Sequence, residues 1–322
     1  MAINKKFYNK IMKEGKEVFN ILENYDKTKE LPVNIKKLQI YEEIKKQKTI
    51  KELLEFGIIN LDKPSGPTSF TISDYVRKEL NLNKTSHSGT IDPQVSGVLP
   101  ILLGRACRLS DYFMKKDKTY VGIMRLHKDI SDIELNSEMK KFIGKIIQMP
   151  PVRSRVKRAE REREVKSFEI IERDGKDVLF KSEVEAGTYI RTLIHNLGEK
   201  IGGAHMLELR RVKAGIFSEE DSNFINLYEF EKAVEEYKKG NEELLREMVI
   251  PAEYAIEKVM PVIQANMESV KQLLTGKPLM RNDININLKD NIFAVFNNGK
   301  FIGIYRKADE GDIIARPEFV LN

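Results

Sequence analysis

The segment HSGTIDPQVSGVLPI, residues 87–101, holds a carboxylate in a cramped turn that leads directly into an apolar stretch. Asp92 lies between Gly89 and Gly97, and the proline that follows it restricts its backbone conformations. The apolar residues 98–103 predict a buried strand. Asp before Pro commonly initiates a turn, so these residues alone favour a turn; a chemical role depends on what surrounds them.

Short strands and helices alternate on either side of this segment. Strands are predicted at 57–62, 98–103, 119–126 and 178–186, and helices at 72–80, 135–147 and 190–201. A Pro/Gly turn, KPSGPTS, follows the first strand. Because many strands are too close together for parallel crossovers, we predict an α+β fold with a mainly antiparallel mixed sheet and flanking helices.

The composition and the spacing of apolar residues change twice along the chain, and we therefore predict three parts. Residues 1–56 are rich in Lys, Glu, Ile and Leu, and predict a partly helical N-terminal extension that packs on the C-terminal domain. Residues 57–250 hold the alternating elements. Residues 261–322 contain a short helix and brief strands separated by NNG and DEGD turns, so we predict a small, separate β-barrel there.

Composition narrows the class of protein. The chain has 55 Lys and Arg against 49 Asp and Glu, a net charge of +6 that weakly favours a polyanionic partner. Its apolar runs fall far short of the roughly 20 residues that cross a bilayer, and the start, MAINKKFYNK, lacks the apolar core of a signal peptide. One cysteine and four scattered histidines predict neither a disulfide framework nor a metal site. We therefore expect a cytoplasmic, metal-free protein.

Four segments resemble the TruB/dyskerin pseudouridine synthases, in the family's order. The first is HSGTIDPQVSGVLPI, which is similar to the family's GTLDP-like signature. The others are GIINLDKPSGPTS at 57–69, KTYVGIMRLH at 118–127 and EAGTYIRTLIHNLGEKIGGAHMLELRRVKAG at 185–215. Ile91, Gln94 and Ser96 depart mildly from the usual signature, and none of them removes an essential functional group. The resemblance implies the pseudouridine synthase fold.

The resemblance also implies the catalytic residues. The family isomerises uridine to pseudouridine, which needs no redox step and no cofactor, and Asp92 falls on its nucleophilic aspartate. Arg191 falls on the arginine partner, whose fork could hold the carboxylate bidentately. Tyr120 resembles the tyrosine that stacks on the target base, near the atom that gains or loses a proton. Tyr189 resembles a second tyrosine of the site, and Leu209 an apolar wall of the pocket.

Basic residues extend the expected substrate-binding set. Lys63 is included because the KPSG turn supports the catalytic loop in this family. A first basic run contains Arg153, Arg155, Lys157 and Arg158, and we expect it to bind phosphate. A second run begins at Arg210 and continues through Arg211 and Lys213. We expect mixed roles in this second run.

The resemblance implies RNA partners and leaves a choice of function. The bacterial branch carries an inserted thumb loop after its basic run, whereas MPPVRSRVKRAEREREVKSFEI passes directly to the next predicted strand, as in the archaeal and eukaryotic branch. That branch modifies tRNA, including its T loop, and modifies rRNA as the catalytic subunit of H/ACA particles with guide RNA and small accessory proteins. Residues 261–322 resemble a PUA domain. The alternative is a non-catalytic RNA-binding scaffold of the same fold.

Overall fold

The computed structural model describes residues 43–150, 157–284 and 288–322. The chain divides into two units, Met1–Gln47 and Lys48–Asn322. Residues 43–47, in the first unit, are helical. The expected packing of residues 1–56 on the C-terminal domain falls largely on residues 1–42, outside the described part, and stays a prediction. Among the described residues, no helix combines the length and the apolar character needed to cross a membrane.

One large mixed sheet organises most of the second unit. Its strands are β1 (Gly57–Lys63), β2 (Thr85–His87), β3 (Ser96–Leu103), β4 (Lys118–Leu126), β5 (Gly144–Gln148), β6 (Arg161–Asp174), β7 (Asp177–Val184), β8 (Ala204–Ala214), β9 (Phe217–Ser218), β10 (Phe224–Ile225) and β11 (Val249–Pro251). They follow the order β10-β1-β3-β8-β4-β7-β6-β5, with β11 on β1, β2 on β3 and β9 on β8. The pairs β1–β10 and β3–β8 are parallel and the others antiparallel, which confirms the predicted α+β class.

Helices flank this sheet and form two cores with it. They are α1 (Ile50–Glu55), α2 (Ser69–Glu79), α3 (Ser110–Met114), α4 (Asp132–Lys140), α5 (Ile190–Ile201), α6 (Leu227–Lys238), α7 (Glu243–Met248) and α8 (Ala252–Val259), with a 3-10 turn at Gly104–Leu109. One core joins α1, α2, α6 and α7 to β1 and β3. The other joins α4 and α5 to β4, β6 and β7, and includes residues of the Asp92 loop.

The predicted helix at 135–147 is wrong in its second half. α4 ends at Lys140, and residues 144–148 form the edge strand β5, paired with β6. Gly144 starts this strand with φ +102°, a conformation that side chains strongly disfavour and that breaks the helical path. Two β-branched residues, Ile146 and Ile147, then favour the extended backbone.

The C-terminal residues form the expected small β-domain, a curled five-stranded half-barrel. Its strands are β12 (Val262–Gln264), β13 (Leu279–Met280), β14 (Ile292–Asn297), β15 (Lys300–Glu310) and β16 (Ile313–Val320), with helix α9 (Val270–Leu274) and 3-10 turns at Met267–Ser269 and Arg281–Asp283. Asn298 and Gly299 both have positive φ, as a two-residue hairpin turn requires. The NNG motif therefore closes the β14–β15 hairpin, as predicted.

Candidate active site

Asp92 lies on the loop that joins the antiparallel neighbours β2 and β3. The loop folds back on itself, since the Val95 N–H donates to the Asp92 carbonyl oxygen at 3.0 Å and the Ser88 N–H to that of Pro100 at 2.9 Å. Ile91 and Val95 are buried on either side, and the Asp92 side chain is left 56% exposed. The apolar neighbours thus anchor the loop while the carboxylate stays accessible to a substrate.

Arg191, in the first turn of α5, reaches this carboxylate. Its Nη2 lies 2.5 Å from Asp92 Oδ2, and the arginine side chain is 54% exposed. The contact joins one nitrogen to one oxygen, in place of the two parallel bonds expected from the sequence. The sheet order explains the encounter, because α5 connects β7 to β8, and β8 is the parallel neighbour of β3, which carries the loop.

The KPSGPTS turn and the start of α2 make hydrogen bonds to the backbone of the Asp92 loop. Lys63 is fully buried, and its Nζ donates to the carbonyl oxygens of Pro64 at 2.7 Å and Pro93 at 2.9 Å. The Ser69 hydroxyl bonds to both the N–H and the carbonyl of Ile91, at 3.0 and 3.2 Å. Lys63 therefore points at the loop backbone, which fits support of the catalytic loop better than direct substrate contact.

Tyr120 and Leu209 lie next to the anchored loop. Both are buried, each 8% exposed, and they share one apolar core with Ile91 and with Ile190, the residue before Arg191. Leu209 pairs with Gly122 across the β4–β8 ladder, and Leu209 Cδ1 would lie 2.8 Å from a Cβ placed there. Glycine at 122 leaves room for this leucine, and both Leu209 and Tyr120 belong to the core that holds Ile91, the residue before Asp92.

Tyr189 is positioned by a residue that sequence reasoning missed. Tyr189 is the N-cap residue of α5 and is partly buried. The amide of Gln148, itself 2% exposed, accepts from the Tyr189 N–H at 2.9 Å and donates to its carbonyl at 3.2 Å. Because the sequence predicted a helix over 135–147, just before it, Gln148 had no visible role; recognising Gly144 as the start of a strand would have placed Gln148 at the end of that strand.

Three further basic residues, Arg211, Lys118 and His87, were missed or misplaced by the sequence reasoning. Arg211 is 1% exposed, although the sequence grouped it with residues expected along an RNA backbone; it lies on β8, where alternate side chains face opposite sides of the sheet. Burial, reinforced by the charge of Arg211, lowers the pKa of Lys118 to about 8. The same two causes lower the pKa values of His87 and Lys63. Arg211 and burial therefore both disfavour a positive charge on these three neighbouring basic groups.

The remaining basic residues take different positions. Lys157 and Arg158 are exposed just before β6, whereas Arg153 and Arg155 lie outside the described residues. Arg210 makes two bonds of 2.9 Å to Asp62 and one of 2.7 Å to Glu219. Its donors are thus largely engaged by two carboxylates, one on β1 and one in the residue after β9. Among the described residues, no group of three or more His, Cys, Asp or Glu side chains is placed to hold a metal ion.

Two family models match most of the sheet region. Residues 77–190 match the N-terminal domain of the TruB family pseudouridylate synthases, and residues 191–257 match the C-terminal domain of tRNA pseudouridylate synthase B. The two matches meet between Ile190 and Arg191, at the start of α5.

Archaeal proteins named "Probable tRNA pseudouridine synthase B" are similar over much of the chain. The one from Thermococcus onnurineus is 49% identical over 63% of this chain and 61% of its own length. The one from Methanothermobacter thermautotrophicus is 37% identical over 80% of this chain and 81% of its own length. The chain thus spans under two thirds of the Thermococcus relative and most of the Methanothermobacter relative.

Solved structures agree with these relatives. A chain from a crystal structure described as a Cbf5-Nop10-Gar1 complex is 37% identical, with a TM-score of 0.78 over 86% of this chain and 88% of its own. A chain from an H/ACA RNP bound to a substrate RNA containing 2'-deoxyuridine is 35% identical, with a TM-score of 0.77 over 86% and 89%. By sequence and by fold, the chain belongs to the TruB family of pseudouridylate synthases.

Proposed function

We propose that this chain is an RNA pseudouridine synthase that isomerises uridine to pseudouridine in tRNA, in rRNA or in both. The observation that carries the proposal is the accessible Asp92 carboxylate, joined to Arg191 at 2.5 Å and adjoining the apolar core that holds Tyr120 and Leu209. An ionised carboxylate fixed by a guanidinium group can act as a nucleophile. The neighbouring aromatic ring provides a face for an unstacked base.

The chemistry follows from what isomerisation requires. The bond between sugar and base is broken at nitrogen and made again at carbon, so atoms and electrons balance without a cofactor. Asp92 attacks the sugar or the base, and Arg191 keeps its carboxylate charged and aimed. Tyr120 stacks on the base and lies near the atom that exchanges a proton. Tyr189 and Leu209 complete the pocket wall.

The relatives' names and the complexes of the solved structures support the choice of substrates and partners. Proteins named tRNA pseudouridine synthase B point to tRNA. The matched Cbf5-Nop10-Gar1 complex and the H/ACA RNP bound to a substrate RNA support an RNA–protein particle with small accessory proteins. On this proposal the chain works in the cytoplasm as the catalytic subunit of a guide-RNA particle. Exposed Lys157 and Arg158, with Arg153 and Arg155 before them, would contact phosphates.

The proposal assigns a task to each part of the chain. Residues 57–250 carry the chemistry, and residues 261–322 anchor RNA as a PUA-like domain. The packing of residues 1–56 on the C-terminal domain stays a prediction, because residues 1–42 lie outside the described part. Within Lys48–Asn322, Phe56 stacks on Phe301 of β15 with ring centroids 5.3 Å apart.

The test compares the wild type with Asp92→Asn on unmodified tRNA and on a guide-directed rRNA target, with and without guide RNA and accessory proteins. We expect the wild type to form pseudouridine, mapped by nucleotide position, and Asp92→Asn to bind RNA equally but form none, because an amide is not a nucleophile. Asp129→Asn, an exposed acid whose side chain is 90% accessible, is the control and should remain active. If wild type and Asp92→Asn both bind RNA and neither modifies it, the chain is a binding scaffold.

A further inference from the structure

Arg211 is a cation in the core of the protein, on the central strand β8. Arg211 is 1% exposed and pairs directly with Tyr120 across the β4–β8 ladder. The register of that ladder shifts between Thr119 and Tyr120, so the irregularity lies beside the pair. On the other side, a Cβ at Gly97 would lie 2.2 Å from the Arg211 carbonyl oxygen. Glycine at 97 thus allows β3 to approach β8 closely here.

The guanidinium group of Arg211 connects the Asp92 loop to Tyr120. Its Nε donates to the Val98 carbonyl at 2.8 Å and its Nη2 to the Gly89 carbonyl at 3.1 Å, three residues before Asp92. Tyr120 lies directly opposite Arg211 on the β4–β8 ladder, and its side chain opposes the effect of burial on the guanidinium group. One rigid, planar group therefore holds the loop backbone and lies beside Tyr120.

These acceptors are all neutral, so the buried positive charge of Arg211 has no negative partner and its burial costs free energy. Burying a charged group costs several kcal/mol unless it is well compensated, and an arginine does not lose its proton to escape that cost. Burial lowers the pKa of Arg211, and its contact with Tyr120 opposes that change. An acceptor that becomes negative during the reaction would make the buried charge useful.

We propose that Arg211 is a positioning residue for the Tyr120 hydroxyl and stabilises negative charge on its oxygen during proton transfer. This rests on the proposed function. In the isomerisation, N1 of the base gains one proton and C5 loses one, so a single hydroxyl can give the first and recover the second. Between the two transfers the Tyr120 oxygen is negative and next to a fixed guanidinium group. Arg211 itself touches no substrate.

A double-mutant cycle tests whether Arg211 acts through Tyr120. The variants are Arg211→Lys, Tyr120→Phe and both together, assayed in the assembled complex under single-turnover conditions. We expect Arg211→Lys to slow the reaction by about 100-fold without changing RNA affinity. In the Tyr120→Phe background the same change should have no further effect. Arg125→Lys, on an exposed cross-strand pair with Asp177, is the control and should be unaffected. Independent, multiplying effects of the two substitutions would overturn the proposal.

A second measurement does not depend on activity. In protein labelled at the tyrosine ring carbon that bears the hydroxyl, the Tyr120 signal is assigned as the one missing in Tyr120→Phe. We expect Arg211→Lys to move that signal and to leave the other tyrosines in place. Should Arg211→Lys not fold, the guanidinium signals of Arg211 are compared between wild type and Tyr120→Phe, where a shift is expected. An unmoved signal overturns the proposal, whereas an inactive wild type overturns only the proposed function.

Discussion

Asp92 and Arg191 form an ion pair that is about half exposed, with 56% and 54% of the two side chains accessible. Pairs in such positions contribute only about 0–1 kcal/mol to stability. The pair therefore positions the carboxylate and contributes little to folding stability. Substitutions of either residue should change the turnover rate far more than the melting temperature.

Replacing Arg191 with lysine tests this reasoning. The bond to Asp92 is made by Nη2, and a lysine Nζ ends one bond earlier along the side chain, so the ammonium falls short. We expect Arg191→Lys to lower the turnover rate by about 100-fold, since a displacement of about 1 Å can cost that much. RNA affinity and the melting temperature should stay close to those of the wild type. A near-wild-type rate would remove the case for the Asp92 partnership.

Lys118 gives a prediction about pH. Burial beside Arg211 lowers its pKa from 10.5 to about 8, so between these values the unfolded chain binds more protons than the folded one. Its contribution to stability is therefore fully present above pH 10.5 and is lost as the pH falls through 8. Relative to Lys118→Met, the wild type should gain on the order of 3 kcal/mol in unfolding free energy across that window.

Denaturant titrations at several pH values measure this difference. The control is Lys181→Met on the exposed side of β7, which should track the wild type throughout. Parallel curves for the wild type and Lys118→Met would show that Lys118 titrates alike in both states, contrary to the prediction.

At the scale of elements, the Asp92 loop depends on a turn that is distant in sequence. Lys63, the last residue of β1, is buried and donates to the Pro64 carbonyl in its own turn and to the Pro93 carbonyl in the loop. The Ser65 hydroxyl also reaches the loop, at the Gln94 carbonyl, but from an exposed position. The two contacts differ in burial, and they should therefore differ in energy.

Substituting Lys63 with methionine should both destabilise the protein and misplace Asp92. The apolar replacement removes both hydrogen bonds of the buried Lys63 ammonium group, and bonds that involve a charged group contribute about 1.5–3 kcal/mol each. We expect a melting temperature several degrees lower and a reduced turnover rate with little change in RNA affinity. Ser65→Ala should cost much less on both counts. If Lys63→Met reduced RNA affinity but left stability intact, Lys63 would be a substrate contact after all.

Most elements could be predicted from the sequence because each has a clean local period. Strands β1, β3, β4 and β7 and helices α2 and α5 occur where apolar alternation or a helical stripe predicts them. The pattern failed at β5, where two isoleucines fit either a helix or a strand and only the φ of Gly144 decides.

The site was only partly predictable, because the local pattern of apolar residues does not determine which residues of two strands pair. The positions of Asp92, Arg191, Tyr120 and Leu209 were expected from family resemblance, whereas Arg211 was taken as part of a basic run. Its burial follows from the β4–β8 register, which includes a shift beside Tyr120. The same ladder brings His127 and His205 to 2.8 Å across 78 residues of sequence, although the histidines look scattered in the chain.

At the scale of the whole molecule, several kinds of contact fix the C-terminal half-barrel to the large mixed sheet and its helices. Phe56 stacks on Phe301, and the Tyr112 hydroxyl donates to Glu318 at 2.7 Å. Arg105 reaches the carbonyl oxygen of Val320 at 3.3 Å. Deleting residues 261–322 would expose the apolar ring of Phe56 and invite aggregation, so surface substitutions are the cleaner probe of this domain.

Lys277 and Arg281 allow such a probe. Both are exposed, and they flank β13 in the turn that leads out of α9. If the domain anchors RNA through phosphates, Lys277→Gln with Arg281→Gln should weaken RNA binding, and the slope of log affinity against log salt should fall by about 1 for each lost contact. The catalytic rate at saturating RNA should stay unchanged, because both residues flank a strand of the five-stranded C-terminal sheet, whereas Asp92 lies on a loop of the large mixed sheet.

The control for this double variant removes two positive charges from a surface outside the C-terminal domain. Lys232→Gln with Lys239→Gln removes the same charge from exposed positions on and just after α6, and should leave the salt slope as in the wild type. Binding measured from low to moderate salt then separates a local phosphate contact from a general loss of positive charge. Equal slopes for both double variants and the wild type, in folded proteins, would mean that the C-terminal domain does not anchor RNA through this turn.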